Sequence, residues 1–366
     1  GFHMCYFGIN CRNETPSTSG WFYDYHGRTA GMELYPLNDS NFRLALNYLF
    51  GCKKTAWIAS QYEFINVRLD TCVPPANVKY FHSGLPPVPY DEDMAYHFLT
   101  DAPPNGMGMS NASGYWTYPN GTEMRQIYVM SPVEAPPSVA TTEYAISLWN
   151  DFFGKMSDGT SDYFISDVIP FYPEIFVTFF DRDHDIYFLC WGLGRDPDYL
   201  FDFFHPDADV FGGYNSPGLS DPSRPGYLGL NDILYAIKYW RWPNGTYILT
   251  DEEMVDIVKL AQEYLYVLVP YIPIYSRNYI NMYNNTLAGW IESLGYGSNN
   301  DWSYGWLMNG DEVGGSVQWH CSGPIDTLLL PAAGSAYEFQ VLGRIFEGGL
   351  TVDPFTHQDV YWLLTD

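Results

Sequence analysis

The chain has 366 residues, 46% of them hydrophobic and 16% charged, the balance of a folded protein with a sizeable core and not of a disordered one. Its formal net charge of −26, from 43 acidic and 17 basic residues, repels phosphate backbones and anionic lipid headgroups, so nucleic acid is excluded as an expected partner. Aromatic residues reach 18%, with 32 Tyr, 23 Phe and 12 Trp, an excess that suits either a tyrosine-rich core or a surface recognising polar ligands through their apolar faces.

The first predicted element is a strand over the opening run Phe2 to Asn10, ended by polar residues. A polar loop follows to about Asp39. Residues 41–50 then carry apolar side chains at helical spacing, with Ser40 or Asn41 as the cap. Pro74, Pro75, Pro86, Pro87 and Pro89 mark an extended surface crossing, and Tyr90-Asp91 opens a short helix ending at Leu99. Gly114 to Met130 reads as a hairpin turning at Pro119-Asn120-Gly121. Next come a helix over 138–154, a strand over Phe164 to Ile169, a helix beginning at Phe176 and a buried strand from Asp185 to Trp191. Amphipathic helices are expected from Asp232 to Trp240 and from Asp251 to Val267, the second opened by the capping box Thr250-Asp251-Glu252-Glu253. Past Asn309 the composition changes: Gly314 to His320 has a strand signal, Ala336 to Phe346 a helical one, and Val352-Asp353-Pro354 a turn. No internal repeat is evident. Strands alternating with single helices imply an α/β layered sandwich.

Six Asn-x-Ser/Thr sequons, at Asn13, Asn38, Asn111, Asn120, Asn244 and Asn284, lie mostly beside Gly, Pro or Ser and read as exposed glycosylated turns of an extracellular or cell-surface protein. No stretch approaches the ~18 continuous apolar residues of a membrane span, and Pro270 and Pro273 interrupt the most apolar run. Any leader or anchor is expected outside these residues. The cysteines number six, without CxxC spacing. As disulfides of a secreted chain, the close pairs Cys5/Cys11 and Cys52/Cys72 are the expected partners.

Catalytic and cofactor signatures are missing. No glycine-rich turn leads into Lys-Ser/Thr, Gly192-Leu193-Gly194 lacks the third glycine of a dinucleotide site, and there is no Gly-x-Ser-x-Gly elbow. The histidines show no paired spacing for a metal. Asp181-Arg182-Asp183-His184-Asp185 begins like a calcium loop, but Ile186 stands where the sharp turn needs glycine and Gly192 where the twelfth position needs a carboxylate, so it reads as a surface turn. Asp196 and Asp198 could form a carboxylate pair for sugar hydrolysis, yet nothing in their spacing demands it, and a Pro-containing turn with a helix-capping Asp is the simpler role. No enzyme activity, cofactor or metal is expected.

Several segments, in order, resemble one family. Tyr6-Phe7-Gly8-Ile9-Asn10, the helix Asn41 to Tyr48, Val73-Pro74-Pro75, Tyr90-Asp91 through Ala95, Asp183-His184-Asp185-Ile186 followed by Trp191, Asp196-Pro197-Asp198, Ala261-Gln262-Glu263, and Pro270 to Tyr275 are similar to the C-terminal lobe of family 5 extracellular solute-binding proteins, the dipeptide, oligopeptide and oligosaccharide receptors of ABC importers. The resemblance covers residues 1–308. It implies a two-lobed periplasmic-binding-protein-like clamshell (type II, cluster C) with a mixed sheet flanked by helices, in which ligand binds between lobes. Residues 309–366, through Gly314-Gly315-Ser316-Val317, Asp326-Thr327-Leu328 and Val341 to Leu350, resemble the opening of an N-terminal lobe of the same family, as in long archaeal surface members. The chain is therefore expected to continue into a longer polypeptide, with importer membrane subunits as partners.

On this resemblance the ligand rim is Trp191, Gly192, Gly194, Asp196, Asp198 and Tyr199, with Trp191 and Tyr199 as a stacking platform and Arg195 in a solvated salt bridge. In peptide-binding members an Asp three residues after the strand Trp holds the ligand's ammonium group. That position is Gly194 here, which favours oligosaccharides or longer peptides over dipeptides. Core packing of Trp191 is the plain alternative to its ligand role, and a structural surface-layer or filament glycoprotein on the same fold is the alternative function.

Overall fold

Met4 and Tyr6 of the opening strand β1 (His3–Ile9) turn into one apolar cluster, and Cys5, Phe7 and Ile9 into another, so that every residue from Met4 to Ile9 is buried. A strand buried on both faces belongs in the middle of a sheet covered on both sides. In the computed structural model that sheet contains β1, β2 (Asn66–Arg68), β3 (Ile127–Pro132), β4 (Phe164–Ile169), β5 (Ile186–Gly192) and β6 (Tyr271–Arg277), in the order β2-β6-β1-β5-β3-β4. β3 runs parallel to β4 and β5, whereas β1 is antiparallel to both β5 and β6, and β2 is antiparallel to β6. The sheet is mixed, and the carboxyl ends of β3, β4, β5 and β6 share one edge. The structure describes residues 2–15, 31, 33–62, 66–210, 212–219, 229–278, 287–291, 308–309, 325, 327–332, 336–346, 350–356 and 358–361.

Helices cover both faces. On the face of Cys5 and Phe7 lie α1 (Ser40–Phe50), α2 (Lys53–Tyr62), α3 (Glu92–Thr100) and α4 (Pro136–Phe153), which bury Phe42, Ile58, Leu99 and Trp149 among others. On the face of Met4 and Tyr6 lie α5 (Phe176–Asp181), α6 (Tyr199–Phe204), α7 (Leu230–Tyr239) and α8 (Asp251–Leu268). In α8, Met254, Ile257, Val258, Ala261, Leu265 and Leu268 recur at helical spacing and form its buried stripe. The capping box works on one side as expected, with Thr250 Oγ1 accepting from the Glu253 amide at 3.1 Å; Glu253 reaches back to the Leu249 amide instead of that of Thr250. Arg43 of α1, itself buried, closes the other end of α8 by donating to the Leu268 carbonyl at 2.9 Å. At Gly8, a Cβ would overlap the Tyr187 ring lying across it from the directly paired strand position, so the close approach requires glycine.

The structure departs from the sequence expectations at several points. The cap of α1 is Asp39, one residue earlier than expected; its Oδ1 accepts from the Asn41 amide at 2.8 Å. The hairpin expected over 114–130 forms only around its tip, because Ile127 onward leaves to join the sheet as β3. α2 and β2 were not expected; the first is mostly polar and the second only three residues long. The disulfide joins Cys5 to Cys190, which face each other directly in the β1–β5 register, and neither of the pairs Cys5/Cys11 and Cys52/Cys72 forms. The six steps of extended chain between Cys5 and Cys11 span roughly 20 Å, too far for a disulfide. Cys52 is exposed, whereas Cys72 is buried on the far side of the sheet from Cys5.

The chain divides into two compact units, Phe2–Asn278 and Tyr279–Asp366. The sheet and its helices make up the first. In the second, β7 (Leu287–Ala288) pairs with β8 (Met308–Asn309), α9 spans Ala336–Ile345, and β9 (Leu350–Val352) pairs with β10 (Asp359–Tyr361) around the expected turn, where Asp353 Oδ1 accepts from the Phe355 and Thr356 amides. The strand signal at Gly314 to His320, Cys321 and the sequon at Asn284 lie outside the described residues. Among the described residues, no helix is long and apolar enough to cross a membrane.

Candidate functional site

The chain passes from β3 to β4 through α4 on one face of the sheet, and from β4 to β5 past α5 on the other. Successive connections on opposite faces leave a crevice between the strands where they part, here at the carboxyl ends of β3 and β5; in open α/β sheets this is where ligands bind. The residues at that edge are Pro132-Val133-Glu134 after β3, Ile169-Pro170-Phe171 after β4, and Trp191 through Asp196 at the end of β5. Val133 and Phe171 are exposed apolar side chains, tied together locally by Glu134 Oε2 accepting from the Phe171 amide at 2.9 Å. β1 begins at the same edge with His3, opposite Gly192, and β6 leaves it at Arg277.

Trp191 is half-buried. Its indole Nε1 donates to Tyr6 Oη at 2.6 Å, and its ring packs against Phe179, Phe203 and Tyr214 with centroid separations of 6.1, 5.8 and 5.5 Å. Tyr6 in turn lies against Tyr271 at 4.0 Å and Tyr187 at 5.9 Å, while the Tyr187 hydroxyl meets Ser216 Oγ at 2.5 Å. Burial drives the phenol of Tyr6 far above its ordinary value, with Tyr187 and Tyr271 adding to the effect, so the hydroxyl that receives the indole stays protonated. The Trp191 ring is thereby oriented from behind by a buried tyrosine cluster, with part of its surface left open beside Tyr214, itself 44% exposed.

The other rim residues divide. Gly192 and Gly194 are exposed, and the loop they begin is pinned by Leu193 donating its amide to the Phe2 carbonyl at 2.7 Å and by Asn77 Nδ2 donating to the Arg195 carbonyl at 2.7 Å. A Cβ at Gly194 would only touch the Asp196 carbonyl oxygen, at 3.4 Å, so the position has room for a side chain. Asp196 is exposed and pairs with Arg195 at 3.1 Å, the salt bridge expected of that arginine. Asp198 turns away from the rim: its side chain makes no capping bond to α6 and instead shares Lys238 Nζ with Asp202, at 3.2 and 2.9 Å. Tyr199 is 8% exposed, with its hydroxyl donating to the Cys72 carbonyl, and burial pushes its phenol well above the usual range. Its ring belongs to the wall, which corrects the expected Trp191–Tyr199 platform: the ring that accompanies Trp191 at the surface is Tyr214. Tyr214 sits in a glycine- and proline-rich loop without periodicity, so only the contact reveals it.

The carboxylates of the calcium-like segment are not gathered. Asp185 is fully buried and held by Arg125 in a bidentate pair at 2.8 and 2.9 Å, and Arg182 forms the left-handed end of α5. Among the described residues, no group of three His, Cys, Asp or Glu side chains could hold a metal ion. Of the sequons, Asn13, Asn111, Asn120 and Asn244 are exposed, and half-buried Asn38 donates its amide to Asn13 Oδ1 at 2.9 Å.

No known family profile and no curated relative matches this sequence. Solved structures do match. The oligopeptide-binding protein AppA of Bacillus subtilis, in complex with a nonapeptide, is similar at 13% identity with a TM-score of 0.60, covering 85% of this chain and 51% of that one. NikZ of Campylobacter jejuni, in complex with nickel and L-histidine, is similar at 17% identity and a TM-score of 0.56, covering 79% and 48%. An oligopeptide-binding protein of Thermus thermophilus, complexed with a pentapeptide, is similar at 14% identity and a TM-score of 0.56, covering 81% and 45%. The chain thus spans about half the length of these structures. At such identities the likeness establishes a shared fold alone, a periplasmic-binding-protein-like one, and agrees with the mixed sheet flanked by helices.

Proposed function

We propose that this chain supplies one ligand-binding lobe, the C-terminal one, of an extracellular solute-binding protein that captures peptides or oligosaccharides and hands them to the membrane subunits of an ABC importer, without transforming them. The observation that carries the reading is the open end of the sheet: a half-exposed tryptophan, oriented from behind by buried tyrosines, at the strand crossing of a fold shared with peptide and nickel–histidine receptors. In this reading Trp191 and Tyr214 provide the stacking surface. The exposed backbone at Gly192 and Gly194 and the Asp196 carboxylate provide orientation, and a second lobe closes over the ligand. With no carboxylate at position 194, a free α-amino group lacks its dedicated anchor, which favours longer peptides and oligosaccharides as cargo.

The test is calorimetric titration of the protein with pools of tri- to nonapeptides and of oligosaccharides, repeated with Trp191→Ala and Tyr214→Ala. Loss of the two stacking rings is expected to weaken binding at least about tenfold, the effect of one or two aromatic contacts. Unchanged affinity in a folded double variant would sink the proposed rim. Turnover of any of these compounds would sink the non-catalytic reading.

A further inference from the structure

Two hairpins on opposite faces of the sheet are built to the same plan. Trp116 to Met124 reads Trp-Thr-Tyr-Pro-Asn-Gly-Thr-Glu-Met, and Trp240 to Ile248 reads Trp-Arg-Trp-Pro-Asn-Gly-Thr-Tyr-Ile, a nine-residue repeat 124 positions apart that periodicity alone does not expose. Their turn-closing backbone hydrogen bonds correspond. Tyr118 donates its amide to the Thr122 carbonyl at 2.8 Å, and Trp242 donates to that of Thr246 at 2.8 Å. Gly121 donates to the Tyr118 carbonyl at 2.8 Å, and Gly245 to that of Trp242 at 2.9 Å. Met124 donates to the Trp116 carbonyl, and Ile248 to that of Trp240, at 2.9 and 3.0 Å; both apolar side chains are buried. The flanking pairs Thr117–Glu123 and Arg241–Tyr247 bridge identically. Each tip needs glycine fourth in the turn, where φ is 84° at Gly121 and 91° at Gly245.

The shared plan brings three side chains together. Tyr118 faces Thr122 across one tip and Trp242 faces Thr246 across the other, as directly paired positions of a hairpin do. The asparagine at the top leans to the same side: Asn120 Oδ1 accepts from the Thr122 amide at 2.9 Å and from its hydroxyl at 2.6 Å, and Asn244 Oδ1 accepts from the Thr246 amide at 2.9 Å. The side-chain amide of each asparagine is thereby held beside the threonine that pairs with the ring residue. Both asparagines and both threonines are exposed, whereas both rings are half-buried, Tyr118 against Tyr35 at 4.7 Å and Trp242 against the core. The remaining described sequons lack this arrangement. Thr15 and Ser40, the hydroxyl residues of the Asn13 and Asn38 sequons, are buried, and no ring stands two residues before Asn111.

We propose that these two tips are N-glycosylation sites whose first sugar stacks on the ring two residues before the asparagine, Tyr118 for Asn120 and Trp242 for Asn244. A pyranose presents one face of C–H bonds, which packs on the electron-rich face of an aromatic ring held beside it. Attachment forms a bond from Asn Nδ2 to the anomeric carbon of a lipid-linked oligosaccharide and breaks that carbon's bond to the donor phosphate. One amide proton passes to the released lipid phosphate, and nothing is oxidised or reduced. The sugar then covers the open part of a half-buried ring, so the tips are places where glycosylation also adds stability. This inference rests on the extracellular placement of the chain and not on what its rim captures.

The experiment produces the chain in a host that N-glycosylates and in one that does not. Glycopeptide mass spectrometry reads occupancy, proton NMR reads the first sugar at each site, and thermal unfolding compares the two preparations. Sugar is expected on Asn120 and Asn244, with ring-current upfield shifts of the first sugar's C–H protons and a gain of about 2 °C per glycan. Trp242→Leu is expected to abolish the shift and the gain at Asn244 only, and Trp242→Phe to keep both. Bare asparagines at both tips, or occupied ones with unshifted sugar protons, overturn the proposal; because the NMR readout uses the unsubstituted protein, poor folding of a variant does not obscure it. A protein carrying both stacked sugars but binding no solute would count against the capture reading alone.

Discussion

The two ends of the central sheet are built to opposite specifications. At the amino ends of β3 and β5, guanidinium groups staple loops to strands. Arg125 holds Asp185 and the carbonyls of Leu34 and Tyr35; Arg12 holds Asp209 and the carbonyls of Asn215 and Ser216; Arg182 holds four carbonyls; and Asn10 Nδ2 donates to the carbonyls of Arg182 and His184. At the carboxyl ends, the rim loop carries the exposed Arg195–Asp196 ion pair, and apolar Val133, Phe171 and part of Trp191 meet solvent. Buried charge networks are costly to break and fix geometry, so the stapled end is the rigid base. The open end leaves apolar side chains and loop backbone facing solvent.

The largest way to break this contrast is Arg125→Ala. Asp185 would be left fully buried without its guanidinium, and a loss of about 3–5 kcal/mol is expected in urea unfolding; a loss below about 1 kcal/mol would mean that the base does not depend on that pair. Acid should act on the same end. His184 is buried, and burial, then Arg12 and Arg182, hold its imidazole well below the ordinary value, while Asp185 and the Thr178 backbone pull the other way. Below about pH 6.5 the unfolded chain therefore takes up a proton that the folded chain refuses, and stability falls as pH falls. The unfolding midpoints of the protein and of His184→Gln should therefore converge on acidification from about pH 6.5 to about pH 5. If they stay parallel, His184 protonates freely in the fold. The smallest effect on stability is expected at the open end. Gly194→Asp has room for its side chain and should change stability by less than about 0.5 kcal/mol. It adds a carboxylate to the rim, and calorimetry should find several-fold tighter binding of peptides with a free amino end and no change for sugars. Equal change for both classes would remove position 194 from the determinants of ligand choice.

Much of the architecture can be read along the chain. β1, β4, β5, α4, α7 and α8 fall where alternation and helical spacing put them, because each must turn an apolar face inward and the period of that face is local. The candidate site was only partly legible. Trp191 stands out as a tryptophan ending an apolar strand, and the Arg195–Asp196 pair is a local one. Tyr214, from a loop 23 residues further on, enters the site through a ring contact that no spacing encodes. Asp198 and Tyr199 look alike as rim candidates, yet one is drawn to Lys238 of α7 and the other is buried beneath Cys72.

By itself, the sequence determined most of the strands and helices of the sheet unit, that the chain is strongly acidic, and the turn at Pro119-Asn120-Gly121, since these follow from composition, period and backbone freedom. Only the tertiary structure decided that Cys5 pairs with Cys190, that Gly8 must leave room for Tyr187, that Trp191 is steadied by Tyr6, and that connections cross opposite faces between β3 and β5. Each of these depends on strand order and register, which are settled by contacts between residues tens to hundreds of positions apart, where local propensity carries no information.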